Sequence, residues 1–143
     1  MIDTTHDCIY CAEVGGKLLW KDDFCRVVLA DETGYPGFCR VILTRHIKEM
    51  TDLPESDQKR LLSVLMAVEE AVRQVMAPDK INLASLGNVV PHLHWHVIPR
   101  YADDEHFPNP IWGAARRERR PRSDSIQIEQ QLRQVIREKL GAD

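Results

Sequence analysis

"NVVPHLHWHVIPR", residues 88–100, is the stretch on which the reading of this chain turns. Val89, Val90, Trp95, Val97 and Ile98 favour pleated backbone, Gly87 and Asn88 precede the run and Pro99 closes it, so a β-strand is expected. Side chains two apart on a strand share a face. His92, His94 and His96 are therefore expected as one row of imidazoles, with Leu93, Trp95 and Val97 turned toward the core behind it. A single strand histidine is usually structural, but three on one face are costly to bury. Two chemistries account for such a row. It is a metal site, or it supplies a nucleophile together with hydrogen-bond donors for a phosphate, because imidazole is poised near neutral pH.

Outward from that strand, "KLLWKD" (17–22), "FCRVVLAD" (24–31) and "FCRVILTR" (38–45) read as three short strands in a meander, and "KINLASLG" (80–87) as a fourth. Between them, from Pro54 to Met76, apolar residues recur every three or four positions at Leu61, Leu65, Val68, Val72 and Val75, the period of a helix. Asp52 and Glu55 have capping-box spacing at its start. Leu62, Met66 and Met76 widen its apolar surface beyond one stripe, which suits a second packing partner. Ile128, Leu132, Val135 and Leu140 mark a C-terminal helix ending at Gly141, capped by Asp124 or Ser125. The expected class is α+β, a mainly antiparallel five-stranded sheet with one long helix and a C-terminal helix.

With 143 residues, 43% hydrophobic and 29% charged, the chain is expected to be a single domain over 1–143, its core at about 8–100 and a loop and helix at 101–143. Nineteen basic against 22 acidic residues, a formal charge of −3, give no general signal for nucleic-acid or membrane-surface binding. "MIDTTHDCIYCAE" has neither a basic nor an apolar leader region, and a cytoplasmic location is expected. Four cysteines are too few for a disulfide scaffold; Cys25 and Cys39, in apolar runs, read as buried thiols, whereas Cys8 and Cys11 form a C-x-x-C pair. Residues 101–123 make a long connection containing "RRERRPR" (116–122), five arginines that read either as a solvated face or as an anion-contacting arm.

"HLHWHVI" (92–98) resembles the signature of the histidine-triad (HIT) family of nucleotidyl hydrolases and transferases. "CIYC", "VVLAD", "PGFCRVILTRHIKEM" and "NLASLGNVVPHLHWHVIPR" extend the resemblance over residues 8 to 100 in the family's order. It implies a hydrolase of adenylyl- or guanylyl-linked substrates, dinucleoside polyphosphates or nucleoside phosphoramidates. In that chemistry His94 attacks the α-phosphate and carries a covalent nucleotidyl group, with His96 donating to the phosphate. It further implies that Asp31 binds the ribose, that Asn82 lines the leaving-group side, and that backbone amides at Asn88 and Val89 serve the phosphate. An ordinary turn role remains open for Asp31. Two departures stand out: Val89 replaces a hydroxyl residue, and Phe38 follows Gly37 where the family has histidine, able to fill apolar space beside the base.

A nucleotidylyltransferase and a non-catalytic nucleotide-binding module are the alternatives. The resemblance also implies a homodimer joined through the long helix and a strand, and a structural zinc held by Cys8, Cys11, His46 and His92. Trp112 and the arginines from Arg116 to Arg122 would then reach the partner's pocket.

Overall fold

In the computed structural model, which describes residues 7–122 and 125–142, strands β1 (Lys17–Lys21), β2 (Cys25–Leu29), β3 (Cys39–Leu43), β4 (Lys80–Ala84) and β5 (His94–Arg100) form one sheet. Their order is β1-β2-β3-β5-β4, and every neighbouring pair is antiparallel. The three-strand meander is as expected. The last strand inserts between β3 and β4, so the histidines sit centrally, flanked on both sides.

The strands read "CRVVL" and "CRVIL" because both faces are covered. Cys25, Val27, Leu29, Cys39, Val41, Leu43 and Val97 face one core with helices α2 (Glu55–Met76) and α3 (Ile126–Leu140). Alternate residues face the other way. There Val28 and Ile42 pack with Cys8 and Tyr10 beside the short helix α1 (Ile9–Ala12), and Ala30, Phe38 and Ile98 pack with Tyr35.

Helix α2 buries Leu61, Leu65, Val68 and Val72 as its period requires, with Val64 and Ala71 beside them. Its start differs from expectation. Asp52 does not pair with Glu55; it closes a capping box with Glu49 around a 3₁₀ turn at Met50–Asp52, and Pro54 stands at the N-cap of α2. Pro54 has a fixed φ and no N–H, which suits a helix entry where the carboxylates of Glu55 and Asp57 meet the positive end of the dipole. Leu62 and Met66 are exposed, but Met76 is half-buried. It packs on Gly37, where the backbone has φ +81° and a Cβ would stand 2.7 Å from the Met76 Cγ, so only glycine fits the turn into β3. Helix α3 is capped by Ser125, whose Oγ accepts from the Ile128 N–H at 3.1 Å; Asp124, the other expected cap, lies outside the described residues. Leu132 and Ile136 seat α3 on the core, and the Trp20 indole donates to the Gly141 carbonyl at 2.9 Å.

The strand expected over 88–100 begins only at His94. Pro91 has no N–H to give a ladder, and Leu93 bonds elsewhere, donating to Ile47 O at 2.7 Å and accepting from Leu43 N at 3.2 Å. His92 therefore lies just outside the strand. Among the described residues no helix is long and apolar enough to cross a membrane.

Candidate active site

The register of β5 gives its two histidines different neighbours. Ile42 of β3 is opposite His94 and Arg40 is opposite His96, all four on the face away from α2. Both imidazoles are only 6% exposed and their rings meet edge-on at 4.9 Å. At His94, Nδ1 lies 2.6 Å from the His92 carbonyl oxygen. A carbonyl only accepts, so the proton is on Nδ1 and Nε2 keeps its lone pair. The His94 backbone is anchored as well, its carbonyl accepting from Ser85 Oγ at 2.7 Å. Tyr10 stands edge-on to the ring at 4.8 Å.

His96 is built the other way. Arg40 Nε donates to its Nδ1 at 3.2 Å, while Phe38 meets the ring edge-on at 5.5 Å and Trp112 lies at 5.1 Å. Burial pushes the His96 pKa down to about 3, with the neighbouring His94 and the Arg40 cation acting in the same direction. Burial also lowers that of His94, against the bond to the His92 carbonyl. Both rings are neutral at pH 7, the form in which an imidazole is nucleophilic.

His92 is the third histidine in sequence but not in the row. It is fully buried and turned to a different group: its Nδ1 lies 3.3 Å from Cys8 Sγ, 3.5 Å from Cys11 Sγ and 3.3 Å from His46 Nδ1, and Cys11 Sγ lies 3.3 Å from His46 Nδ1. All four ligand atoms fall within 4.8 Å of one another. A tetrahedron with metal bonds of about 2.0–2.3 Å has edges of about 3.3–3.8 Å, and the four contacts at 3.3–3.5 Å fall in that range. His92 Nε2 donates to Leu43 O at 2.6 Å, so its Nδ1 presents a lone pair to the centre, the orientation that a ligand histidine needs. The residues fit a structural zinc or a similar soft divalent ion.

The remaining expected residues are dispersed. Asp31 is exposed just beyond β2, where it lines a cavity of about 220 Å³ with Lys17, Glu32, Thr33 and Arg122. A second cavity, about 290 Å³, reaches His94 from the Lys48–Thr51 turn and Ser85. Asn82 is on β4 opposite Ile98, on the triad's face, with its Oδ1 accepting from Arg100 at 2.7 Å. Asn88 and Val89 lie in the exposed β4–β5 loop, Val89 93% exposed.

Three features were not anticipated. Arg40 is the partner of His96; an arginine in the apolar run "FCRVILTR" was the only signal, and its meaning depends on register. Arg100 and Asp104 form a buried ion pair at 2.7 and 2.9 Å. Burial would raise the Asp104 pKa, but the Arg100 side chain and the N–H groups of Tyr101 and Phe107 bring it down to about 2. Finally, the arginine segment is largely solvent-exposed, as the solvated-face reading expects, but it is also tied into ion pairs within the chain. Arg119 pairs with Glu105 at 3.0 Å, Arg120 and Arg122 with Asp103 at 2.8 and 2.9 Å, and Arg117 donates to the carbonyls of Asp104 and Phe107. The segment folds back on its own acidic loop, which holds Trp112 against His96 of the same chain.

Comparison with known proteins accords with this geometry. Residues 12–103 match the HIT domain family, and the chain belongs to that family. It is 27% identical over 108 residues to an adenylylsulfatase of Arabidopsis thaliana, covering 69% of this chain and 55% of the relative. It is 27% identical over 85 residues to an AP-4-A phosphorylase of Mycobacterium tuberculosis, covering 55% and 44%. The chain thus spans about half the length of these two relatives. A histidine triad protein from Marinobacter aquaeolei has the same fold, with a TM-score of 0.74 at 29% identity over 88% of this chain and 92% of that one.

Proposed function

We propose that this protein hydrolyses adenylyl- or guanylyl-linked substrates at the α-phosphate through a nucleotidyl group carried on His94. The observation that carries the reading is the 2.6 Å bond from His94 Nδ1 to the His92 carbonyl. It puts the proton on Nδ1, so Nε2 attacks phosphorus without first losing one. The P–Nε2 bond forms as the bond to the leaving oxygen or nitrogen breaks, and the positive charge on the ring is shared through Nδ1–H with the carbonyl. Water then attacks the phosphoramidate and returns the free imidazole. His96, with Nδ1 occupied by Arg40, offers its Nε2–H to the phosphate oxygens. Family membership and the names of the two relatives support nucleotide substrates.

Asp31, exposed at its cavity, is assigned to the ribose hydroxyls. With Oδ1 held by Arg100, Asn82 has its amide N–H groups left for the leaving group. Backbone amides at Asn88 and Val89 are assigned to the phosphate. Cys8, Cys11, His46 and His92 hold a structural zinc, which ties the N-terminal segment to the start of the triad strand and takes no part in the chemistry. A homodimer is proposed through the exposed Leu62 and Met66 of α2 and the free edge of β4, whose Ile81 and Leu83 are only half-buried. A cytoplasmic location is proposed with it, because thiolate ligands of this kind persist where cysteines are kept reduced.

The test is a fluorogenic adenylyl phosphoramidate, quenched in acid and alkali and analysed by mass spectrometry. An adenylyl group on the tryptic peptide containing His94 is the expected result; turnover without one in any quench sinks the covalent route. Running the reaction with phosphate present separates hydrolysis from transfer, the alternative to which the relative named AP-4-A phosphorylase points.

A further inference from the structure

Arg40 lies opposite His96 in the register, with its side chain 17% exposed. Its Nε is 3.2 Å from His96 Nδ1, its guanidinium is 5.0 Å above the Phe38 ring, and its Nη2 is 3.5 Å from Glu32 Oε1. A guanidinium has five N–H donors, no acceptor and no accessible neutral form. A histidine nitrogen that takes a bond from it must present a lone pair. The facing charges point the same way: His94 from the same strand and Arg40 from β3 are the titratable or charged groups that oppose a charged His96, and Glu32 from the loop after β2 acts only through Arg40. The half-exposed Trp112, whose ring centroid is 5.1 Å from that of His96, adds an uncharged ring to its surroundings.

We propose that Arg40 is a positioning residue that holds His96 as its neutral Nε2–H tautomer, so that the ring's one proton is always aimed out of the sheet, as a donor for the substrate's phosphate. This rests on the reading of His94 and His96 as a phosphoryl centre, and gives this chain an ordering device where Val89 has removed a hydroxyl donor. Glu32 and Phe38 steady the guanidinium; His96 is what it acts on.

Long-range ¹H–¹⁵N correlation spectra of the full, uniformly labelled chain read the tautomer without substrate. His96 is expected to show a bare Nδ1 and a protonated Nε2 throughout pH 5 to 8, and a proton on Nδ1 in the wild type overturns the proposal whatever any variant does. Arg40→Lys, which keeps a donor-only cation, retains that signature, whereas Arg40→Leu gives a mixture of tautomers. With the adenylyl phosphoramidate, Arg40→Leu loses about 10- to 100-fold in kcat while KM stays within about twofold, because the lost alignment is felt in the transition state. Arg40→Lys recovers most of it. A loss confined to KM, or an unchanged tautomer and kcat in Arg40→Leu, overturns the proposal. A wild type that shows the expected tautomer but turns over no adenylyl substrate removes the nucleotidyl reading and leaves the tautomer assignment standing.

Discussion

His94 and His96 are two positions apart on one strand and hold their protons on opposite nitrogens, because one faces a carbonyl at 2.6 Å and the other a guanidinium at 3.2 Å. Removing the nucleophile leaves the pocket in place, so His94→Gly is expected to lower turnover by at least about 10³-fold, about 4 kcal/mol of barrier, while equilibrium dialysis finds nucleotide still bound. Ordinary turnover by that variant contradicts the mechanism. His96 also makes stability depend on pH. Its folded pKa, about 3, is below its unfolded value near 6.5, so between those limits the unfolded chain binds the proton and the native chain does not. The contribution is complete above about pH 6.5 and falls by up to about 1.4 kcal/mol per unit as the pH drops toward 3. Urea titrations across pH 4 to 7 check this, and His96→Asn is expected to flatten the slope.

At the scale of elements, the connection between β5 and α3 is held by Asp104. This carboxylate accepts from Arg100 and from the N–H groups of Tyr101, His106 and Phe107, and from it the chain runs on to Trp112. Asp104→Ala leaves the 2%-exposed Arg100 charged and unpaired, a loss of about 3–5 kcal/mol. Thermal melts are expected to show a Tm well below wild type, and Trp112 fluorescence to shift red as the indole leaves His96. A variant melting like wild type would mean that the loop is held elsewhere. Ser125→Ala is a milder perturbation, about 1 kcal/mol from the lost cap of α3, and should leave Trp112 fluorescence unmoved. The arginine run shows which part of this element the sequence leaves hidden: its exposure is legible and its ion-pair partners are not. Its composition is that of a solvated segment, and Asp103 and Glu105, its partners, precede it by 14 to 19 positions, a separation without local signature.

For the whole molecule, the sheet's two covered faces divide the labour: α2 and α3 make the main core, and the other face, with Cys8, Tyr10 and the loop after β5, carries the candidate site. The proposed zinc joins the N-terminal segment to that face, so its removal should be felt as lost stability first. Protein prepared without chelator is expected to carry about one zinc per chain; chelation or Cys8→Ser should lower Tm, and metal-free protein of full stability would leave the two thiols as ordinary cysteines. Light scattering is expected to give twice the 16.5 kDa chain mass, and a charge placed at Leu62 or Met66 to shift the population toward monomer. A wild-type monomer would contradict the assembly.

Read alone, the chain determined the α+β class, the strand segments apart from the start of β5, the two long helices and membership of the triad family, because each rests on local terms: the alternation of "CRVIL", the helical recurrence from Leu61 to Val75, and spacing within "HLHWHVI". It also supplied the four candidate zinc ligands, although only by resemblance. The tertiary structure decided that β5 lies between β3 and β4, that His92 leaves the strand to meet Cys8 across 84 positions, and that His96 stands between Arg40 of β3 and Ala84 of β4. Register and strand order are set by the sum of many distant contacts, and a slip of one residue would turn every side chain to the opposite face. No periodicity within a single segment contains that information.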